Sequence, residues 1–238
     1  MHYKPWKNYR EIAIIHRAYR KIVKTYRTRA QETEKYFEKE PCIDERDIDD
    51  ERVGKRAIYL VFSFAPASSM ARAIIAYTEG SFSHVAIALD GSLTNMYSFT
   101  ITRGNRFSNI EGGFTYENIR DYRLQQILIQ VNRVWINDIQ YNRIRQQISV
   151  MAKIKNRTAY NLKGLIKYVL KEKYETEQKS MYCSEFVIHL LNGAGVEISG
   201  NGMEQISPQE LADETYKLEG GIVYRGRAER YERGYETD

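Results

Sequence analysis

The run SFSHVAIALDGSLTNMYSFTI, residues 81–101, reads as two β-strands joined by a turn, and this reading decides the fold class. Within HVAIALD (84–90), alternation places His84, Ala86 and Ala88 on one face and Val85, Ile87 and Leu89 on the other. Asp90-Gly91-Ser92 supplies turn residues, and NMYSFTI (95–101) is again rich in β-formers. Residues 84–101 therefore form a hairpin-like unit, whose strands are antiparallel. Working outward, AIYLVFSF (57–64) is an earlier strand and LQQILIQVN (124–132) a later one, with RGNRFSNIEGGFTYENI (103–119) reading as a Gly- and Asn-rich loop.

Helical patterns fill the rest. In PASSMARAIIAYTEG (66–80), Ser68 or Ser69 can cap a helix with an apolar face of Met70, Ile74, Ile75 and Tyr77, closed by Gly80. WINDIQYNRIRQQISVMAKI (135–154) carries Ile136, Ile139, Ile144, Ile148 and Met151 at near-helical spacing, NLKGLIKYVLK (161–171) is a second helix, and YCSEFVIHLLNGAGV (182–196) a third, stopped by Gly193 and Gly195. Strands early and helices late predict an α+β fold: an antiparallel sheet with packed helices.

The 238 residues suit one core plus an appendage. Two cysteines, Cys42 and Cys183, exclude a disulfide framework, and their separation excludes a zinc finger. No apolar run is long enough to span a bilayer, which takes about 20 residues. The net charge of +5 does not by itself point to nucleic acid, and no nucleic-acid motif is present, so no nucleic-acid partner is expected. The first 30 residues lack the continuous apolar stretch of a signal peptide, which makes the cytoplasm the expected compartment.

Residues 1–31 hold nine Lys/Arg against the single acid Glu11, with Ile12, Ile15, Tyr19, Ile22 and Tyr26 forming one helical stripe. Residues 32–52 reverse the sign, with ten acids. A charged helical extension over 1–52, a globular domain over 53–224 and a mobile charged tail over 225–238 are the expected divisions. The basic helix suits an acidic partner, a membrane surface or self-association; docking on the domain is the plainer use of such a stripe.

Two residues invite chemistry. Cys183 opens a helix, where unpaired backbone N–H groups and the dipole stabilise a thiolate nucleophile. Its plainer role is to extend the buried face formed by Phe186, Val187, Leu190 and Leu191. His84 starts a strand after a Gly-Ser-Phe-Ser loop; alone, it reads as a strand-edge histidine bonded to a loop. Together they supply the nucleophile and base that a thiol hydrolase requires, with a third polar group to fix the imidazole. His2 and His16 lie in the basic helix, and His189 faces away on the helix of Cys183.

SHVAIALD, followed about 100 residues later by YCSEFVIHLL, resembles the circularly permuted papain-like fold of the NlpC superfamily, in particular its YiiX-like branch. The histidine strand maps onto Ser83 to Ile87, the cysteine helix onto Cys183 to Phe186, and the family's Tyr-Asp/Asn element onto Tyr160-Asn161; the likeness covers about residues 55–200. The resemblance implies a cysteine amidase or peptidase acting on a small peptide, amino-acid or acyl-amide substrate, with Cys183 as nucleophile, His84 as base, and no metal or organic cofactor. YiiX-like members carry an acid on the strand after the histidine strand, where this chain has Ser98; Glu117 is the best acidic candidate for that role and Asn95 a neutral one. Tyr182, Tyr59 and Tyr97 are candidate contributors to an oxyanion site beside the backbone N–H of Cys183, and Tyr160 joins Tyr182 as a candidate substrate contact. Glu185 suits the first turn of a helix and receives no catalytic role. With no acid at position 98, a module that binds a peptide or lipid without turnover is the alternative reading.

Overall fold

The structure is a computed structural model that describes residues 24–35, 37, 43–44, 51–64, 69–78, 80–103, 111–169, 177, 179–198 and 205–233. In chain order the elements are α1 (24–35), β1 (Ile43–Asp44), β2 (Glu51–Arg52), β3 (Lys55–Phe64), α2 (Ser69–Thr78), β4 (His84–Ala88), β5 (Met96–Arg103), β6 (Glu111–Glu117), α3 (Ile119–Leu124), β7 (Leu128–Asn137), α4 (Asp138–Lys153), β8 (Ala159–Tyr160), α5 (Leu162–Val169), β9 (Ser180–Met181), α6 (Cys183–Ala194), α7 (Pro208–Tyr216), β10 (Ile222–Arg227) and α8 (Ala228–Arg233). The main sheet runs β1-β10-β7-β3-β4-β5-β6, with β2 on β3, and every pair in it is antiparallel. A small parallel pair joins β8 to β9. The chain is thus a mixed α+β protein built on an antiparallel sheet.

Period-two patterning divides the interior into two layers. Ile58, Leu60 and Phe62 of β3, Val85 and Ile87 of β4, Phe99 and Phe114 meet Ile144 and Ile148 of α4 and Phe186, Val187, Leu190 and Leu191 of α6. The alternate residues Ala57, Tyr59, Val61, Ala86, Ala88 and Met96 face Tyr122 of α3 and Ala228 and Tyr231 of α8. Each fully buried Leu, Ile or Phe contributes about 1.5–3 kcal/mol by leaving water. That burial holds the helices on both faces of the sheet. Among the described residues no helix is long and apolar enough to cross a membrane.

Several expectations need correction. Residues 111–117 are not loop but strand β6, paired with β5 from Met96↔Glu117 to Arg103↔Glu111. The glycines that suggested a loop instead allow a close approach. A Cβ on Gly113, whose φ is +154°, would lie 2.5 Å from Thr158 Oγ1, while Phe114 N donates to that same oxygen at 2.9 Å. Gly113→Ala is expected to cost about 2 kcal/mol or more, read as a lowered midpoint in urea unfolding.

The helix expected from residue 135 starts at Asp138, because the β3 ladder carries β7 through Lys55↔Asn137. Asn137 then caps α4 in a capping box with Gln140. Ile136 accordingly lies in the strand's core face, and Ile139 is 66% exposed rather than on the buried stripe. Tyr77 is likewise half-exposed, not part of the apolar face of α2.

Residues 225–233, expected to belong to a mobile tail, are built into the fold. Arg225, Gly226 and Arg227 extend the β10–β7 ladder, and the buried Tyr231 packs edge-on against Tyr224 at 4.9 Å. Tyr231 anchors this charged segment, by its ring on Tyr224 and by its hydroxyl on Gly91 O. Within the charged extension, β1 and β2 are strands of the main sheet rather than helix. Ile12, Ile15, Tyr19 and Ile22 of the basic stripe lie outside the described residues, while Tyr26 of α1 lies under the Arg72 guanidinium at 5.7 Å. Phe37 meets Phe82 edge-on at 6.5 Å, close to the start of β4.

The start of α7 gathers three other elements. Ser207 caps it in a box with Glu210. Ser184 Oγ of α6 donates to Ile206 O at 2.6 Å, Ser81 N ahead of β4 donates to Gln209 Oε1 at 2.7 Å, and the Tyr168 hydroxyl of α5 donates to Glu210.

Candidate active site

His84 is the first residue of β4, and its position is fixed by the sheet. It lies opposite Ser63 in the β3 register, and Ser83 N donates to Ser63 O at 3.0 Å. Glu117 is the last residue of β6, two strands away. Its carboxylate meets the imidazole: His84 Nε2 lies 3.0 Å from Oε1 and 3.2 Å from Oε2. Ser98 Oγ on β5 donates to Oε1, and the Tyr122 hydroxyl on α3 donates to Oε2. Asn118 makes that second bond reachable, because it caps α3 by accepting from Arg120 N at 2.9 Å and turns the chain back over Glu117.

Cys183 opens α6 and shares a hydrogen bond with the His84 imidazole. With Nε2 committed to Glu117, Nδ1 is the ring nitrogen left for the sulfur. As the first residue of a helix, Cys183 has a backbone N–H with no intrahelical acceptor. Glu185, in the first turn, is fully buried and accepts from Tyr182 N at 3.1 Å and from Asn161 Nδ2 at 3.3 Å. Asn161 also caps α5 by accepting from Gly164 N at 2.8 Å, so Tyr160-Asn161 ties α5 to the cysteine helix.

The electrostatics follow from this packing. Burial alone would disfavour a charged His84, whose side chain is 18% exposed, but the Glu117 charge and the hydrogen bonds with Cys183 and Glu117 hold it well above the usual imidazole range. Burial alone would likewise raise Glu117, yet the His84 charge and the three side-chain hydrogen bonds bring it down to about 2. The pair is therefore an imidazolium–carboxylate pair at neutral pH. Tyr122 is pushed well above its usual value by burial and by the adjacent Glu117 charge, so it remains a neutral donor. Burial beside Cys183 and Glu185 also pushes the Tyr160 phenol up.

The fold thus brings together Cys183, His84, Glu117 and Ser98, with Tyr160 close enough to Cys183 to feel its charge. Other candidates lie elsewhere. Tyr182 is 1% exposed, its ring packed with Ile74 and Leu165 and 6.2 Å from that of Tyr168, which makes it a core residue rather than an open contact surface. Tyr59 is buried in the β3 face toward α3 and α8, and Tyr97 packs with Phe114 and Tyr116. Asn95 is exposed, with its amide on Thr94. Sequence reasoning missed Tyr122 and Ser63, although a tyrosine five residues after Glu117, behind an Asn cap, is a signal that was there to read. Among the described residues no group of three or more His, Cys, Asp or Glu side chains is placed to hold a metal ion.

Chemically, the arrangement couples a thiol to an imidazole whose far nitrogen is held by a saturated carboxylate. Such a group can take a proton from sulfur and return it to a leaving group. No family model matches the chain, and no curated protein or solved structure matches it either.

Proposed function

We propose that this protein is a cysteine hydrolase, an amidase or peptidase acting on an amide bond in a small peptide, amino-acid or acyl-amide substrate, on a permuted papain-like fold of the YiiX-like kind. The observation that carries the reading is one imidazole hydrogen-bonded to both Cys183 and the buried Glu117. With the proton already on His84, the Cys183 sulfur attacks the carbonyl carbon as the thiolate. The backbone N–H of Cys183 faces the oxyanion that develops. As the C–N bond breaks, the imidazolium gives its proton to the departing amine, leaving a thioester on Cys183. His84 then takes a proton from water, the hydroxide adds to the thioester carbon, and the carboxylic acid leaves as the thiolate beside the imidazolium is restored. Glu117 keeps the imidazole in one orientation and balances its charge throughout.

The test is turnover of a panel of peptide and acyl-amide coumarin conjugates by the full chain, with intact-mass detection of the acyl-enzyme. Cys183→Ala is expected to lower kcat by at least about 10³-fold and to remove the acyl adduct while the thermal midpoint stays close to that of the parent. Undiminished turnover in the Cys183→Ala protein overturns the reading.

A further inference from the structure

The carboxylate that holds the imidazole is itself held, and the holder is anchored beside the base. Tyr122 is buried at 7% exposure on the short helix α3, and its ring belongs to the layer formed with Ala86, Ala88 and Met96. Its hydroxyl donates to Glu117 and takes a hydrogen bond from the Ser63 side chain. Ser63 is 1% exposed, pairs directly with His84 across β3 and β4, and its carbonyl also accepts from Ser83 N. The chain of bonds therefore runs from the β-strand neighbour of His84, through Ser63 and Tyr122, to Glu117, and back to His84 Nε2.

We propose that Tyr122, oriented by Ser63, is a positioning residue of the thiol-hydrolase site, fixing the Glu117 carboxylate in the plane and at the distance at which it holds the His84 imidazole; this rests on the hydrolase reading above. The direction of each bond supports the assignment. The single phenol proton is directed to Glu117 Oε2. Ser98 does the same for Oε1, and the two hydroxyls leave the carboxylate no freedom to rotate away from Nε2. A carboxylate 1 Å out of place gives a misaligned base, and misplacement of that size costs up to about 10²-fold in rate. Burial and the Glu117 charge keep the phenol protonated, so the brace does not titrate out within the working range.

The experiment compares Tyr122→Phe and Ser63→Ala with the parent full-length chain, using two independent readouts. The first is the titration of the Glu117 side-chain carboxyl by ¹³C NMR. In Tyr122→Phe, which keeps the ring and its packing, the carboxyl is expected to titrate at higher pH than the parent's value of about 2. Ser63→Ala is expected to move it in the same direction and less far. The second is steady-state kinetics on whichever conjugate the parent turns over, with kcat in Tyr122→Phe expected to fall about 10- to 100-fold at unchanged KM. A titration curve identical to the parent's, or an unchanged kcat, overturns the proposal. A fall in thermal midpoint with neither change would identify Tyr122 as packing alone. Because the NMR readout needs no substrate, failure of the brace is separable from failure of the hydrolase reading, which shows instead as turnover that survives Cys183→Ala.

Discussion

His84→Ala is expected to lower kcat on any conjugate that the protein hydrolyses by about 10²–10⁴-fold, the usual contribution of a general acid–base group. The same variant is expected to slow alkylation of Cys183 by iodoacetamide at pH 6 by about 10²-fold, since a cationic neighbour promotes the reactive thiolate. The imidazole is a hydrogen-bond partner of Cys183. A histidine held well above its ordinary 6.5 is fully protonated at neutral pH, and its stabilising pairing with Glu117 is present below the unfolded value and lost as pH rises through the folded one. Alkylation followed by peptide mapping, alongside steady-state rates, checks both effects; equal alkylation rates in parent and variant at pH 6 would remove His84 from the thiol's chemistry.

Glu117→Gln is expected to have the second-largest effect. At pH 7 it leaves a buried imidazole without its carboxylate, and removing one member of such a pair costs about 3 kcal/mol. It also falsifies the hydrogen-bond pattern, since an amide NH₂ meets the Nε2–H that the carboxylate accepted, so kcat should fall by about 10²-fold or more. The stability difference carries its own pH signature. The folded value of Glu117 is depressed from 4.5 to about 2, so its contribution is complete above about 4.5 and is lost as pH falls toward 2. Urea midpoints for parent and Glu117→Gln should therefore be far apart at pH 6 and converge between pH 4.5 and 2. Parallel curves across that window would mean that the carboxylate is not paired in the folded protein.

Much of the frame was legible because local pattern and burial agree. The alternation in 84–90 matches the two layers, Val85 and Ile87 in one and Ala86 and Ala88 in the other, and the helix of Cys183 ends at Gly195, with Gly193 inside its last turn. The errors have a common cause. Gly112-Gly113 and the charged stretch 225–233 read locally as loop and tail, and only contacts distant in sequence, Thr158 for the first and β7 with Gly91 for the second, show why they are ordered. The choice between Ser98 and Glu117 stayed open for a similar reason. They are 19 residues apart, and only the β5–β6 pairing shows that they share one hydrogen bond and so are not alternatives.

The helix of Cys183, the approach to the strand of His84 and the α5 helix are each tied to the start of α7, through Ser184, Ser81 and Tyr168. Fraying at Ile206 to Glu210 would loosen the cysteine helix and the approach to the histidine strand in one cooperative step. Cys183 and His84 thus share their fate with the start of another helix, and amide exchange in that turn would report the fraction of molecules in which the two are held together.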